Sequence, residues 1–160
     1  MKLAGGAAVT ATLTVQAAKP KRGVQKGRID QSVVHWCWGE RGWKIEDTAK
    51  AAADLGCKSV ELVSPDDWPV LKKYGLTCAI APNGVEGPPF MRGFNNPDYH
   101  NMVIKATKET IDACAKFGVK NVIAFNGFKW KNAEDPQSGE ISAEQGAKNC
   151  VKGLKKIIGY

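Results

Sequence analysis

Apolar and polar positions along the chain repeat one pattern three times. Residues 53–63, 71–81 and 115–125 each join the end of a helix-like stretch to a glycine (Gly56, Gly75 or Gly118) and then to a short apolar run. Glycine suits the position after a helix, because it takes the left-handed conformation without a Cβ clash. The runs that follow are of strand length. They are largely apolar without alternation, as expected of a strand covered on both faces.

Helical spacing fills the stretches between. Ile45, Ala49, Ala52, Ala53 and Leu55 predict a helix over 45–55, with Glu46 and Asp47 favouring its positive N-terminus. Residues 65–74 open with Pro65 and two aspartates. Asn96-Pro97-Asp98 is a helix start with proline in the first turn, leading into Val103, Ile104, Thr107, Ile111 and Cys114. Ser142-Ala143-Glu144-Gln145 matches a capping box ahead of Ala147, Cys150, Val151 and Leu154. With Val33–Trp38 as a first strand, strands and helices alternate four times. That alternation implies parallel pairing and right-handed crossovers. The expected fold is α/β, a parallel (β/α)4 unit. The long stretches 82–95 and 126–141 then become loops at the ligand-binding end of the strands.

Four parallel strands would leave two unpaired edges. Either the unit is a small complete domain, or it is half of a TIM (β/α)8 barrel, which needs about 250 residues. The half barrel is the sharper expectation for 160 residues, with self-association through the open sheet edges as its corollary.

The net charge of +7 invites a nucleic-acid reading, but its distribution removes it. Residues 1–28 hold six basic residues and no acid, leaving 17 basic against 16 acidic residues from 29 onward. No basic face of the kind a nucleic acid requires is expected. The first 18 residues resemble an export signal: Lys2, then the uncharged run Leu3–Val15, then small residues around Ala17. Residues 19–28 are a linker rich in Pro, Gly and cations, and organisation is expected over 29–160. An exported, periplasmic location follows if the leader acts as a signal, and a cytoplasmic one otherwise. No stretch reaches the roughly 20 apolar residues of a membrane span. The five cysteines are widely spaced with no C-x-x-C, so buried thiols are expected rather than bridges or a zinc site.

Four residues are candidates for substrate binding. Glu61 stands in an apolar strand, where a carboxylate is costly unless paired. Either it meets a substrate hydroxyl, or it pairs with a nearby Lys or a cluster of backbone N–H groups. His35 lies near the end of the first strand and could hydrogen-bond a sugar or keto-acid oxygen, or be a satisfied, partly buried histidine. Trp36, Trp38 and Trp43 could wall the substrate or simply pack. Asn83 and Asn126 each follow a strand and precede glycine, a pattern that serves equally as a turn. His100 falls on a helix and carries little functional weight. Phosphate-loop, dinucleotide-binding and nucleophile-elbow motifs are absent. No metal ligands are assigned.

From about Arg28 onward the chain resembles the hydroxypyruvate isomerase-like branch of the xylose-isomerase-like TIM barrels, a superfamily of sugar phosphate isomerases and epimerases. The resemblance is carried by Gly56-Cys57-Lys58-Ser59-Val60-Glu61-Leu62, by Leu76–Pro82 with Asn83-Gly84, by Arg92-Gly93-Phe94-Asn95-Asn96, and by Asn121–Gly127. It implies an isomerase that interconverts an aldose- or ketose-type substrate, such as hydroxypyruvate and tartronate semialdehyde, by proton transfer through an enediol. The family's two glutamates and its carboxylate-held divalent metal sit mainly on strands five to eight. The catalytic residues are therefore expected outside this chain, which should be inactive alone and hold no cofactor itself. The expected partner is a small sugar or hydroxy-keto acid. The alternative is a non-catalytic carbohydrate-binding or self-associating module. Abasic-site DNA cleavage, also found in the superfamily, is disfavoured by the near-neutral charge.

Overall fold

The computed structural model describes residues 27–160; the leader and most of the linker lie outside the described residues. Five helices and four short strands follow one another: β1 (Ser32–Val34), α1 (Trp36–Gly39), α2 (Ile45–Leu55), β2 (Ser59–Glu61), α3 (Trp68–Lys73), α4 (His100–Phe117), β3 (Trp130–Asn132), β4 (Asp135–Glu140) and α5 (Ala143–Leu154). Single 3-10 turns at Pro65–Asp67 and Pro97–Tyr99 lead into α3 and α4.

Four of the five helices, α2 to α5, fall within the stretches expected to be helical. The backbone N–H of Lys44 donates to Asp47 Oδ2 at the start of α2. Asn96 Oδ1 accepts from Asp98 N ahead of α4, and Ser142 Oγ accepts from Gln145 N at α5. Each contact satisfies an N–H that the first turn leaves free. Gly56, Gly75 and Gly118 take φ of 87°, 69° and 75°, as the repeated pattern requires.

The sheet corrects the expected fold. Among the described residues there is no parallel (β/α)4 repeat, and hence no half of a TIM (β/α)8 barrel. β1 and β2 form a two-stranded parallel sheet with Ser32, Val33 and Val34 opposite Ser59, Val60 and Glu61. β3 and β4 form a separate two-stranded antiparallel sheet. The runs after Gly75 and Gly118 touch this framework only through isolated parallel bridges, Ser59 with Thr77 and Ala81 with Val122. The hydrogen bonds show why no ladder grows there. Val60 N donates to Thr77 O, and Leu62 N donates to Ile80 O. The neighbouring run thus advances three residues while β2 advances two. Leu62 itself turns to φ 56°, outside the extended region. Further along, Asn121 Nδ2 donates to Ala79 O, an acceptor that a regular ladder would use for a backbone N–H.

Two further expectations change. The first strand ends at Val34, and the chain turns at once into α1, which contains Trp36 and Trp38. The expected loop 126–141 contains the β3–β4 hairpin, stitched by Ser138 Oγ, which accepts from Asn132 N and donates to Asp135 O. β4 carries Asp135, Pro136, Ser138 and Gly139, residues of poor strand propensity.

One core cluster joins the β1–β2 sheet to α2, α3 and the end of α4 through Ala49, Val60, Trp68, Leu71, Cys78 and Cys114. A second gathers Val85, Phe94 and Val103, with Ile157 and Cys150 against it. All five cysteines are free thiols; Cys78 and Cys114 are buried as expected, whereas Cys37 is exposed.

Candidate functional site

Parallel pairing puts two of the four candidates at the same end of the β1–β2 pair. Glu61 closes β2 and lies opposite Val34, the residue before His35. Both therefore emerge at the same, C-terminal end of the parallel pair. Glu61 is half-buried, and among the described residues no ion pair or side-chain hydrogen bond reaches it. Its oxygens are not among the buried, unpartnered side-chain atoms of the described residues, so the carboxylate is open to solvent or a ligand. It is followed by Leu62, the one described non-glycine residue at positive φ. Such backbone strain costs on the order of 1–3 kcal/mol and tends to collect at functional sites.

His35 starts α1, and its carbonyl accepts from the N–H groups of Trp38 and Gly39. Its side chain is half-buried, with Nδ1 2.9 Å from Thr48 Oγ1 on α2. Three indoles surround this end of the sheet in the sequence and remain exposed: Trp36 by 58%, Trp38 by 38% and Trp43 by 42%. The rings of Trp38 and Trp43 lie 5.5 Å apart at 31°, so they form a pair rather than isolated side chains.

The two asparagines go elsewhere. Asn83 is fully buried; its Oδ1 accepts from Val85 N, and its Nδ2 has no partner among the described residues. Asn126 is exposed and lines a cleft of about 690 Å³ with Lys129, Glu140, Ser142, Gly146 and Cys150. Cys150 Sγ donates to Asn126 Oδ1 at 3.6 Å, and Lys129 pairs with Glu140 across the same cleft. Neither His35 nor Glu61 lines it. His100 is buried, with Nε2 2.8 Å from the carbonyl oxygen of Phe94, which makes it part of the core.

Residues that reading the sequence missed include Thr48 and a run of aromatics. Phe90 lies 6.4 Å from Phe125 and 5.9 Å from Phe128, and Phe128 lies 5.3 Å from Trp130, centroid to centroid. Only Trp130 and Phe128 are close enough in sequence for spacing to have signalled the contact. Thr48 looked like a neutral helix position until the fold put it beside His35.

The described residues offer no group of three or more His, Cys, Asp or Glu side chains that could hold a metal ion. The divalent metal that the isomerase resemblance implies is expected on residues outside this chain, and no chemical step is routed through one. No helix among the described residues is long and apolar enough to cross a membrane.

No family model matches the chain, and no curated protein matches it significantly.

Proposed function

We propose that the chain binds a small α-hydroxy carbonyl compound, of the hydroxypyruvate or open-chain sugar kind, as an isomerase-type protein. The observation that carries this is Glu61: a half-buried carboxylate with no ion pair or side-chain hydrogen bond among the described residues, at the end of β2, beside Leu62 at φ 56° and opposite Val34, the residue before His35. A carboxylate there accepts a hydrogen bond from a substrate hydroxyl. The imidazole meets the carbonyl oxygen, and the indoles cover the carbon chain. The reaction class is proton removal from the carbon next to the carbonyl and its return to the neighbouring carbon through an enediol. The similarity of residues 56–62, 76–84 and 121–127 to the hydroxypyruvate isomerase-like branch supports that class. Turnover requires a proton-transferring group placed at the carbon, and no residue is assigned that role here.

Titration of the isotope-labelled protein with hydroxypyruvate tests the reading. Expected are saturable shifts at His35, Glu61 and the Trp38 and Trp43 indoles, with a Kd in the millimolar range, about 4 kcal/mol of binding. The Glu61→Gln variant should weaken it about tenfold or more, a loss of about 1.4 kcal/mol or greater. Shifts absent from this end of the sheet overturn the assignment. The paired, exposed Trp38 and Trp43 favour a second reading, a non-catalytic carbohydrate-binding surface. Binding of pyranose sugars, with no response to the hydroxy-keto acid, would select it.

A further inference from the structure

We infer that the run 121–126 is a docking edge for a second copy of this chain, and that two copies pair it antiparallel about a two-fold axis at Ile123. No ligand at His35 and Glu61 is needed for this pairing.

The run makes no turn or bend from Asn121 to Phe128, and Gly127 is its first residue at positive φ. Its odd-numbered residues face inward. Ala81 N donates to Asn121 O at 2.8 Å, Ile123 N donates to Ala81 O at 3.0 Å, and Phe94 N donates to Phe125 O at 3.2 Å. In an extended chain the N–H and C=O groups of successive residues point to alternate sides. Those of Val122 and Ala124 therefore point the other way, and among the described residues no backbone group is bonded to them. Ala124 is exposed, and Val122 and Ile123 are half-buried, so the edge is within reach of a partner. Natural edges are usually blunted by lysine, proline or a bulge. Asn-Val-Ile-Ala-Phe-Asn carries neither a charge nor a proline. A row of unmet backbone donors and acceptors is matched by another extended polypeptide.

The edge is complementary to itself. With the axis at Ile123, Val122 faces the partner's Ala124, and Ala124 faces the partner's Val122. Every outward N–H and C=O of these residues is then bonded, on both copies. Ile123 meets the partner's Ile123 in a non-hydrogen-bonded pair, where side chains approach most closely and β-branched residues pack well. Lys120 falls opposite the partner's Asn126, so no like charges are opposed. The backbone edge alone is small against the roughly 800 Å² per partner of a stable interface. Helix α5 enlarges it. Cys150 Sγ meets Asn126 Oδ1, and Ala147 lines the same cleft. The helix turns Gly146, Asn149 and Gly153 inward and leaves Ala147, Val151 and Leu154, at helical spacing, exposed. Nothing among the described residues covers that apolar stripe, Val151 being 54% exposed. An isologous contact of this kind closes as a dimer rather than growing into a filament.

Sedimentation velocity of the full-length chain over about 1–100 μM tests the pairing, because a small interface associates at the weak, micromolar end of the range. The wild type should pass from monomer to dimer over those concentrations. Ala124→Pro removes an outward N–H and leaves the inward bonds, and proline is tolerated on an edge strand. That variant should stay monomeric with an unchanged circular dichroism spectrum. Ala124→Lys keeps the backbone and adds a charge at an exposed position; it should also stay monomeric, and it decides the outcome if the proline variant does not fold. Ile123→Cys, oxidised at dimer-forming concentration, should link to its own copy, with mass spectrometry placing the disulfide between the two 123 positions. A wild type that is monomeric throughout overturns the proposal. A dimer that the folded Ala124 variants leave intact overturns the edge, and a dimer in which the 123 positions never link overturns the axis at Ile123.

Discussion

Gly153 on α5 lies directly against Phe94: a Cβ at Gly153 would stand 2.8 Å from Phe94 Cδ1 and 3.0 Å from His100 Nε2. Phe94 is fully buried, and His100 is held by its contact with the Phe94 carbonyl, so neither can retreat. The glycine thus sets how closely α5 approaches the second core cluster.

Gly153→Ala should therefore destabilise the protein even though alanine is the better helix former. Overpacking costs about 1–3 kcal/mol, against about 1 kcal/mol gained in propensity. A net loss of up to about 2 kcal/mol is expected in urea unfolding. A midpoint equal to or above wild type would show that α5 can shift.

Trp68 packs in the first core, 3% exposed, with Nε1 donating to Val63 O at 2.9 Å and its ring edge-on to Phe117. Trp68→Phe removes a buried donor and leaves the Val63 carbonyl without that bond. A cost of about 2–3 kcal/mol is expected, combining the unmet acceptor and the smaller ring. Unfolding monitored by circular dichroism measures it; a loss below half a kilocalorie would mean that another donor replaces the indole.

Burial pushes the thiols of Cys78, Cys114 and Cys150 above their ordinary pKa, with a lesser contribution from Cys78 at Cys114. The folded state favours the neutral thiol. Its contribution to stability is complete below the unfolded pKa of about 8.5. It falls as pH rises through the folded values, because the unfolded chain releases those protons first. Urea midpoints should therefore drop between about pH 8 and pH 10, and Cys78→Ala should flatten the drop. An identical pH dependence in that variant would assign the alkaline loss to other groups.

Glu61 should matter to binding and little to folding. Its oxygens are not among the buried, unpartnered side-chain atoms of the described residues, so removing it recovers no large desolvation cost. Glu61→Leu is expected to change stability by no more than about 0.5 kcal/mol and to abolish hydroxypyruvate binding. Thermal melts and titration measure the two effects. A loss of more than about 1 kcal/mol would mean that the carboxylate has a structural partner.

Local chemistry determined the helices. Hydrophobic spacing over 45–55 and 100–117, the caps at Asn96 and Ser142, and the glycines after three helices all act within a few residues of one another, so the amino-acid order displays them directly. The positions of His35 and Glu61 at one end of a parallel pair were legible for the same reason, because each follows or closes an apolar run. Sheet growth was not legible. Whether 76–81 and 121–125 become strands depends on register against β2, and the slip between Thr77 and Ile80 with the turn at Leu62 is set by how distant segments pack. The β3–β4 hairpin, built from residues that seldom form strands, exists through cross-strand and side-chain hydrogen bonds that no periodicity announces. Thr48 reached His35 only when α2 docked beside β1. Contacts between neighbours in sequence were determined by residue type and spacing; contacts between distant residues were decided by packing, which fixes the geometry that residue type leaves free.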